Sequence, residues 1–276
     1  MKNADPNVID DFGHEWTRFS QDGIEQELFE TFKRYFSIFP LARLTPESVV
    51  ADFGSGSGRW AKFVAPRVKT LYLVEPSRSA LDIACTGLKN HTNAIPLCST
   101  INDCTIQDGS LDFAYCLGVL HHIPDTESAF AKIASKIRSG GYLLVYMYYN
   151  FENRPLWFRY LWRAVDMLRK IISRMPFRLK ASIADVLAAL VYMPVVTTGS
   201  ILNRAGNLPQ AFPLRDYIGK SFYTMRTDAL DRFGTRIEKR YSRQDIKLLY
   251  EKNGFDISTL VISDRPPYWC AVCRRA

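Results

Sequence analysis

The residues with the most chemical content lie between Val49 and Gly58, in the run V-V-A-D-F-G-S-G-S-G. A short, β-branched, apolar stretch ends in Asp52 and then in Gly54, Ser55, Gly56 and Gly58. That is the pattern of a buried strand turning sharply into a helix. Glycines at alternate positions let the backbone take positive φ and approach a ligand, while the amides beyond them point at what is bound. A second apolar run, Thr70 to Val74, ends in Glu75 and Pro76. A carboxylate there can accept from two vicinal hydroxyls at once. A third run closes at Leu117 and leads into G-V-L-H-H-I-P-D, Gly118 to Asp125, with adjacent histidines at 121 and 122. Histidine titrates near neutrality, so His121 or His122 could take the proton of an acceptor hydroxyl. Cys270 and Cys273 form a C-x-x-C with no second pair, and no metal site is expected.

The acid-led spacing G-x-G-x-G differs from the G-x-G-x-x-G of dinucleotide-binding folds. It resembles the turn of the class I S-adenosylmethionine-dependent methyltransferases, and L-H-H-I-P-D resembles the L-x-H-x-x-D loop of their small-molecule members of the ubiquinone and menaquinone type. The resemblance implies that Asp52 helps hold the methionine ammonium. Gly54, Ser55, Gly56 and Gly58 would pass under the amino-acid and ribose portions, and Glu75, followed by Pro76, would receive the ribose hydroxyls. Thr100 occupies the position where the family usually places an acid for the adenine amino group, so Ile101 backbone with Asn102 or Asp103 is expected there. Leu117 and Gly118 would line the cofactor. The histidines would lie beside the departing methyl, either as a base or as packing. Trp16, Arg18 and Phe19 would either cover the cofactor as a lid or anchor the N-terminus. The fold implied is α/β: a Rossmann-like, seven-stranded, mostly parallel sheet with an antiparallel last strand, helices on both faces, and an α-helical cap insertion.

The elements that must position these groups follow from pattern. A helix is expected from Gln21 or Asp22 to Phe39, where Pro40 ends it. Another is expected from Ser57 to about Pro66, with Arg59 and Lys62 solvated, and a third after the N-cap Ser77. Strands are expected over Ala94 to Ser99 and Leu111 to Leu117. A helix over Asp125 to Arg138 is stopped by Gly140 and Gly141, and a strand runs from Tyr142 to Tyr148. The pattern then breaks, and the next familiar helix is Ser242 to Asn253, followed by strands over 255–262 and 268–274. The chain thus divides into an N-terminal lid and helix (1–47), a cofactor-binding core (48–150), a helical substrate insertion (151–235) and a helix with a β-hairpin completing the core (236–276).

At 276 residues, 47% apolar and 23% charged, the chain is an ordinary globular protein. Cysteines inside apparent strands and helices, and an N-terminus without an apolar signal segment, lead us to expect a cytoplasmic protein. The net charge of +8 is uneven: residues 1–150 hold 14 Lys and Arg against 17 Asp and Glu, whereas 151–276 hold 22 against 11. In the insertion, Leu161, Val165, Leu168, Ile172 and Met175 fall on one helical stripe, with Arg159, Arg163, Asp166 and Lys170 on another face. The stretch 155–180 suits a membrane surface, the protein core or a second subunit. A further apolar run, Ile183 to Val196, is too short and interrupted to span a bilayer. Tyr148, Tyr217, Tyr223, Arg226 and Asp228 are the expected acceptor contacts. The function expected is methyl transfer to an oxygen of a small-molecule, sugar or glycan-like acceptor, anionic or lipid-linked. RNA modification is the alternative raised by the basic half, against which no RNA-binding module is evident, and a non-catalytic cofactor-binding scaffold is the third reading.

Overall fold

The computed structural model describes residues 3–19 and 23–276. Two helices open the chain, α1 (Pro6–Arg18) and α2 (Glu25–Tyr35). The core then alternates β1 (Val49–Phe53), α3 (Ala61–Val64), β2 (Thr70–Val74), α4 (Arg78–Gly87), β3 (Ala94–Leu97), β4 (Leu111–Leu117), α5 (Thr126–Lys136) and β5 (Ile137–Tyr146). Four longer helices follow: α6 (Leu156–Ile172), α7 (Phe177–Leu187), α8 (Met193–Arg204) and α9 (Phe222–Gly234). The chain closes with α10 (Arg243–Lys252), β6 (Phe255–Ile262) and β7 (Cys270–Arg275). It forms two compact units, Met1–Asn150 with Ile237–Ala276, and Phe151–Arg236.

The first unit is built on one seven-stranded sheet in the order β3-β2-β1-β4-β5-β7-β6. The contacts among β1 to β5 are parallel, and β7 runs antiparallel between β5 and β6, as the sequence leads one to expect. Strand alternation sorts the core into two layers. Ala51 and Phe53 of β1 face a cluster with Phe130 and Ile133 of α5 and Tyr250 of α10. Val50 faces the other way, with Phe32, Phe36 and Trp60. Both faces of β1 and β4 are thus covered, which is why they read as unbroken apolar runs.

Several boundaries differ from expectation. Residues 6–18 form a helix: Asp5 caps it by accepting from the Asn7 amide, and Pro6 stands at its first turn. The expected start of the next helix at Gln21 or Asp22 lies outside the described residues, and α2 ends at Tyr35, short of Phe39. After the glycine turn the chain does not become helical until Ala61. Arg59 is half-buried rather than solvated, its guanidinium 4.8 Å from the Trp16 ring and 4.6 Å from the Trp60 ring. Residues 137–141, expected to end a helix, instead begin β5, where Ile137 pairs with Leu111.

The second unit is helical. The run read as too short to span a bilayer belongs to a 28-residue helix, Phe177–Arg204, long and apolar enough by length and composition to cross one. A π-helical segment, Ala188–Tyr192, joins α7 to α8 inside it.

The Tyr250 hydroxyl lies buried within 3.0 Å of Leu143 O and 2.9 Å of Ala271 O, tying α10 to two neighbouring strands. Tyr250→Phe is expected to cost about 1–3 kcal/mol, because it strips buried carbonyls of a donor. A lowered denaturation midpoint with an unchanged slope would show it.

Candidate cofactor and methyl-transfer site

Asp52 is the penultimate residue of the central strand β1, beside Tyr115 of β4 in the register of the sheet. It is buried, and its Oδ2 has no hydrogen-bond partner. Burial pushes its carboxyl up to about 8; the charge of Glu75 adds to this, while the Tyr115 hydroxyl and Arg59 oppose it. The Tyr115 hydroxyl lies close enough to lower it yet outside hydrogen-bonding geometry. A buried carboxylate without a donor is costly, and a cation brought to it would relieve that cost.

The turn beyond Asp52 is held from three sides. Gly54 N donates to Val74 O at 2.8 Å. At Gly54, with φ +76°, a Cβ would sit 2.3 Å from a Val119 methyl carbon. At Gly56, with φ +52°, it would sit 2.8 Å from the Trp16 indole nitrogen. Only glycine fits either position, for backbone and for space alike. Glu75 closes the turn from below: Oε2 accepts from Gly56 N at 3.0 Å and Oε1 from Ser77 N at 2.9 Å. Burial raises its carboxyl to about 7, against the pull of those two amides. Each oxygen keeps a second lone pair, so the role expected of Glu75 toward ribose hydroxyls remains open to it.

Helix α1 crosses this end of the sheet. Phe12 and Trp16, four residues apart, share one face of it. The Phe12 ring is 5.3 Å from the His122 ring, and the Trp16 indole is the group nearest Gly56. One helical turn therefore joins the glycine turn to the histidine loop. The chain just ahead of this helix reaches the expected adenine region: Asn3 Nδ2 donates to Asn102 Oδ1 at 2.9 Å, and Asn102 Nδ2 donates to Ser128 Oγ. Asp103 receives the Thr100 hydroxyl, and Ile101 is buried. Arg18 stacks on Phe19, 5.7 Å from its ring.

His121 is fully buried, and neither ring nitrogen has a hydrogen-bond partner. Burial holds it well below the usual imidazole range, with His122 and Arg240 adding to the effect. Its ring stacks on Tyr148 at 3.8 Å and meets Tyr146 edge-on at 6.3 Å. His122 Nδ1 lies 2.6 Å from Ile237 O. A carbonyl can only accept, so this nitrogen carries a proton. Gly118 N donates to Tyr146 O and joins the loop to β5.

Residues the sequence did not flag complete the site. Val119 fills the space beside Gly54, and Phe12 covers His122. Arg240 lies over the Tyr148 ring at 5.3 Å and pairs with Glu238 at 2.6 Å. The 237–241 segment reaches the histidine loop because Lys239 N donates to His121 O and Tyr241 N to Tyr148 O. Phe12, four residues before Trp16, was the one sequence signal available; Arg240 carried none.

Four expected acceptor contacts belong to the second unit. Tyr217 is buried, its ring 5.5 Å from Tyr192, and burial followed by the charge of Asp228 pushes its phenol well up. Arg226 forms a two-point pair with Asp185, at 2.9 and 3.1 Å, and Tyr223 lies on the same helix, α9. Among the described residues no group of three or more His, Cys, Asp or Glu could hold a metal ion.

The site fits S-adenosylmethionine on two observations: a buried acceptor without a donor at Asp52, and a glycine cradle that a Cβ would fill. Asp52→Asn is expected to lower affinity for S-adenosylhomocysteine by about 2–3 kcal/mol, roughly 30- to 150-fold. The empty protein keeps Asp52 protonated below about 8, whereas an ammonium needs the ionised form. Affinity should therefore rise from pH 6 to 8, with proton release visible in calorimetry as a dependence on buffer ionisation enthalpy. The Asn variant should lose the Asp52 share of that release. By the same linkage, the empty protein loses stability as pH rises from the ordinary 3.8 through about 8, since only the unfolded chain ionises this group freely.

Residues 51–145 match the family model described as a methyltransferase domain. A phosphoethanolamine N-methyltransferase of Caenorhabditis elegans is 28% identical over 142 residues, 49% of this chain. The chain spans only 31% of that relative's length. Among solved structures, an S-adenosylmethionine-dependent methyltransferase from Thermotoga maritima is 17% identical, with a TM-score of 0.45, covering 95% of this chain and 100% of its own. A geranyl diphosphate C-methyltransferase from Streptomyces coelicolor is 15% identical, with a TM-score of 0.41, covering 49% of this chain and 52% of its own. Residues 51–145, about a third of the chain, are thus similar to a methyltransferase domain.

Proposed function

We propose that this chain methylates an oxygen of a small or glycan-like acceptor, with His121 taking the acceptor's proton. The observation that supports it is His121 itself: an imidazole fully buried in a ring cluster, with both nitrogens unpartnered. S-adenosylmethionine, when bound, supplies a methyl group on a sulfonium, already activated for in-line displacement. Asp52 would receive its ammonium, and Glu75 its ribose hydroxyls. Trp16 and Phe12 exclude water from the glycine turn and the histidine loop. Burial keeps His121 in the neutral form from which a base must start, and the developing charge of the bound reactants would have to offset the cost of protonating it there. Orientation supplies much of the rate in such a displacement, and the base adds to it as the acceptor oxygen loses its proton.

A second reading, transfer to an amine, is favoured by the rings themselves. Tyr35, Tyr146 and Tyr148 are linked at 5.0 and 5.8 Å, and aromatic faces attract an ammonium. The curated relative is named for such an acceptor.

The test is methyl transfer, read as a mass gain of about 14 Da, across hydroxyl acceptors (sugar phosphates, nucleotide sugars, glycans) and amines such as ethanolamine phosphate. With an oxygen acceptor, His121→Gln should lower turnover by about 10²- to 10⁴-fold while S-adenosylhomocysteine affinity holds. The acid limb of kcat/KM should fall below pH 6.5, where a depressed imidazole finally protonates. Turnover of amines alone, or a His121→Gln variant of full activity, would overturn the oxygen reading.

A further inference from the structure

The second unit buries two cations among its inward apolar residues and leaves long apolar stripes outside. Helix α6 turns Arg169 inward, only 4% exposed, with its guanidinium on Asp166 at 2.7 Å and on Thr235 O at 2.8 Å. Helix α7 does the same with Lys180, 1% exposed and 3.0 Å from Gly234 O. The opposite faces carry the apolar residues. On α6, Leu156, Tyr160, Met167 and Ile171 recur at helical spacing with Trp157 and Leu161 beside them, and all are exposed, Leu156 to 66% and Met167 to 64%. Leu179, Val186, Leu190, Met193 and Ile201 form a comparable exposed stripe along α7 and α8. Among the described residues, fourteen of the eighteen exposed large apolar side chains lie in Phe151–Arg236, under a third of the chain. A contiguous apolar surface of this kind marks an interaction site.

Charge identifies what it meets. Residues 151–236 hold 14 Lys and Arg against 6 Asp and Glu, a net +8, while the rest of the chain holds 22 against 22. The entire excess charge of the protein thus sits on the unit with the apolar stripes. On α6 it follows one edge of the stripe: Arg159, Arg163 and Lys170 are exposed there, and Arg174 and Arg178 are exposed at the joint with α7. We propose that the second unit seats on an anionic lipid surface, with the α6 and α7–α8 stripes entering the interface and these basic side chains at headgroup level. Long basic side chains lay their stems on apolar surface and their charges at the boundary, and Trp and Tyr suit the same depth. A self-complementary interface between two copies would bring these arginines against their own kind. A bilayer-spanning Phe177–Arg204 helix would have to strip Lys180 from Gly234 O and Asp185 from Arg226. Lying in the plane of the interface requires neither.

The test is co-sedimentation of the full chain with vesicles of phosphatidylcholine alone and with about 30% phosphatidylglycerol. Binding at least tenfold stronger to the anionic vesicles, weakening with salt, is expected. Arg159→Gln with Arg163→Gln should lower it roughly twenty- to thirty-fold, and Leu161→Gln with Leu168→Gln and Ile171→Gln should abolish it. An unchanged far-ultraviolet circular-dichroism spectrum and thermal transition would show that both variants stay folded. Equal binding to both vesicles, or none to either, would overturn the proposal. So would a dimer in solution that ignores vesicles and dissociates in the triple-Gln variant.

Discussion

The burial of one carboxylate constrains the rest of the first unit. Asp52 stands near the end of the central strand, where both faces of the sheet are covered and solvent cannot hydrate it. Such a group is held neutral or is met by a cation. The surrounding parts sustain that condition. Val119 packs against Gly54, Trp16 against Gly56, and Glu75 fixes the turn through two amides. The charge of Glu75 adds to what the buried Asp52 costs in the empty site, and so to what a matching cation gains. Discrimination follows from this, because a ligand lacking a cation leaves the cost in place.

The same logic connects the two halves of the site. Phe12 and Trp16 are carried by one helix, so the histidine loop and the glycine turn are covered or uncovered together. One helix face thus belongs to both parts of the site, while His121 itself is enclosed by Tyr148 and Tyr146.

What could be read from the sequence was local, and what could not was set by distance or by context. The glycine turn, Glu75 and the strands β1, β2 and β4 show themselves because a strand buried on both faces must be apolar throughout and must end in residues that tolerate its turn. The stripe of helix α1 is short, Val8, Phe12 and Trp16 alone, so its aromatic residues read as a segment and not as a helix. Arg59 belongs by spacing to a solvated face, but two indoles from different elements enclose it. Arg240 lies more than a hundred residues from His121, and the bridge between Tyr241 and Tyr149, beyond the end of β5, that brings it there leaves no trace in local pattern. In α6 the period was legible and the orientation was not. Periodicity tells which residues share a face, never which face meets water.

That last point has an energetic side. Burying Arg169 and Lys180 requires carbonyls to receive them, and the C-terminal end of α9 offers two, Thr235 O and Gly234 O, at the negative end of its dipole. The arrangement satisfies the cations but leaves the apolar faces outward, forgoing about 1.5–3 kcal/mol for each large side chain that burial would have stabilised. A domain whose net stability is only about 5–15 kcal/mol bears that loss at the expense of its margin. Whatever covers the stripes returns part of it, so association and the stability of the second unit are thermodynamically linked. The outward stripes are therefore a property of the unit's fold as well as of its surface. Replacing Arg169 by an apolar residue to make the helix conventional would leave Asp166 and the end of α9 short of a partner, without bringing any exposed leucine inside.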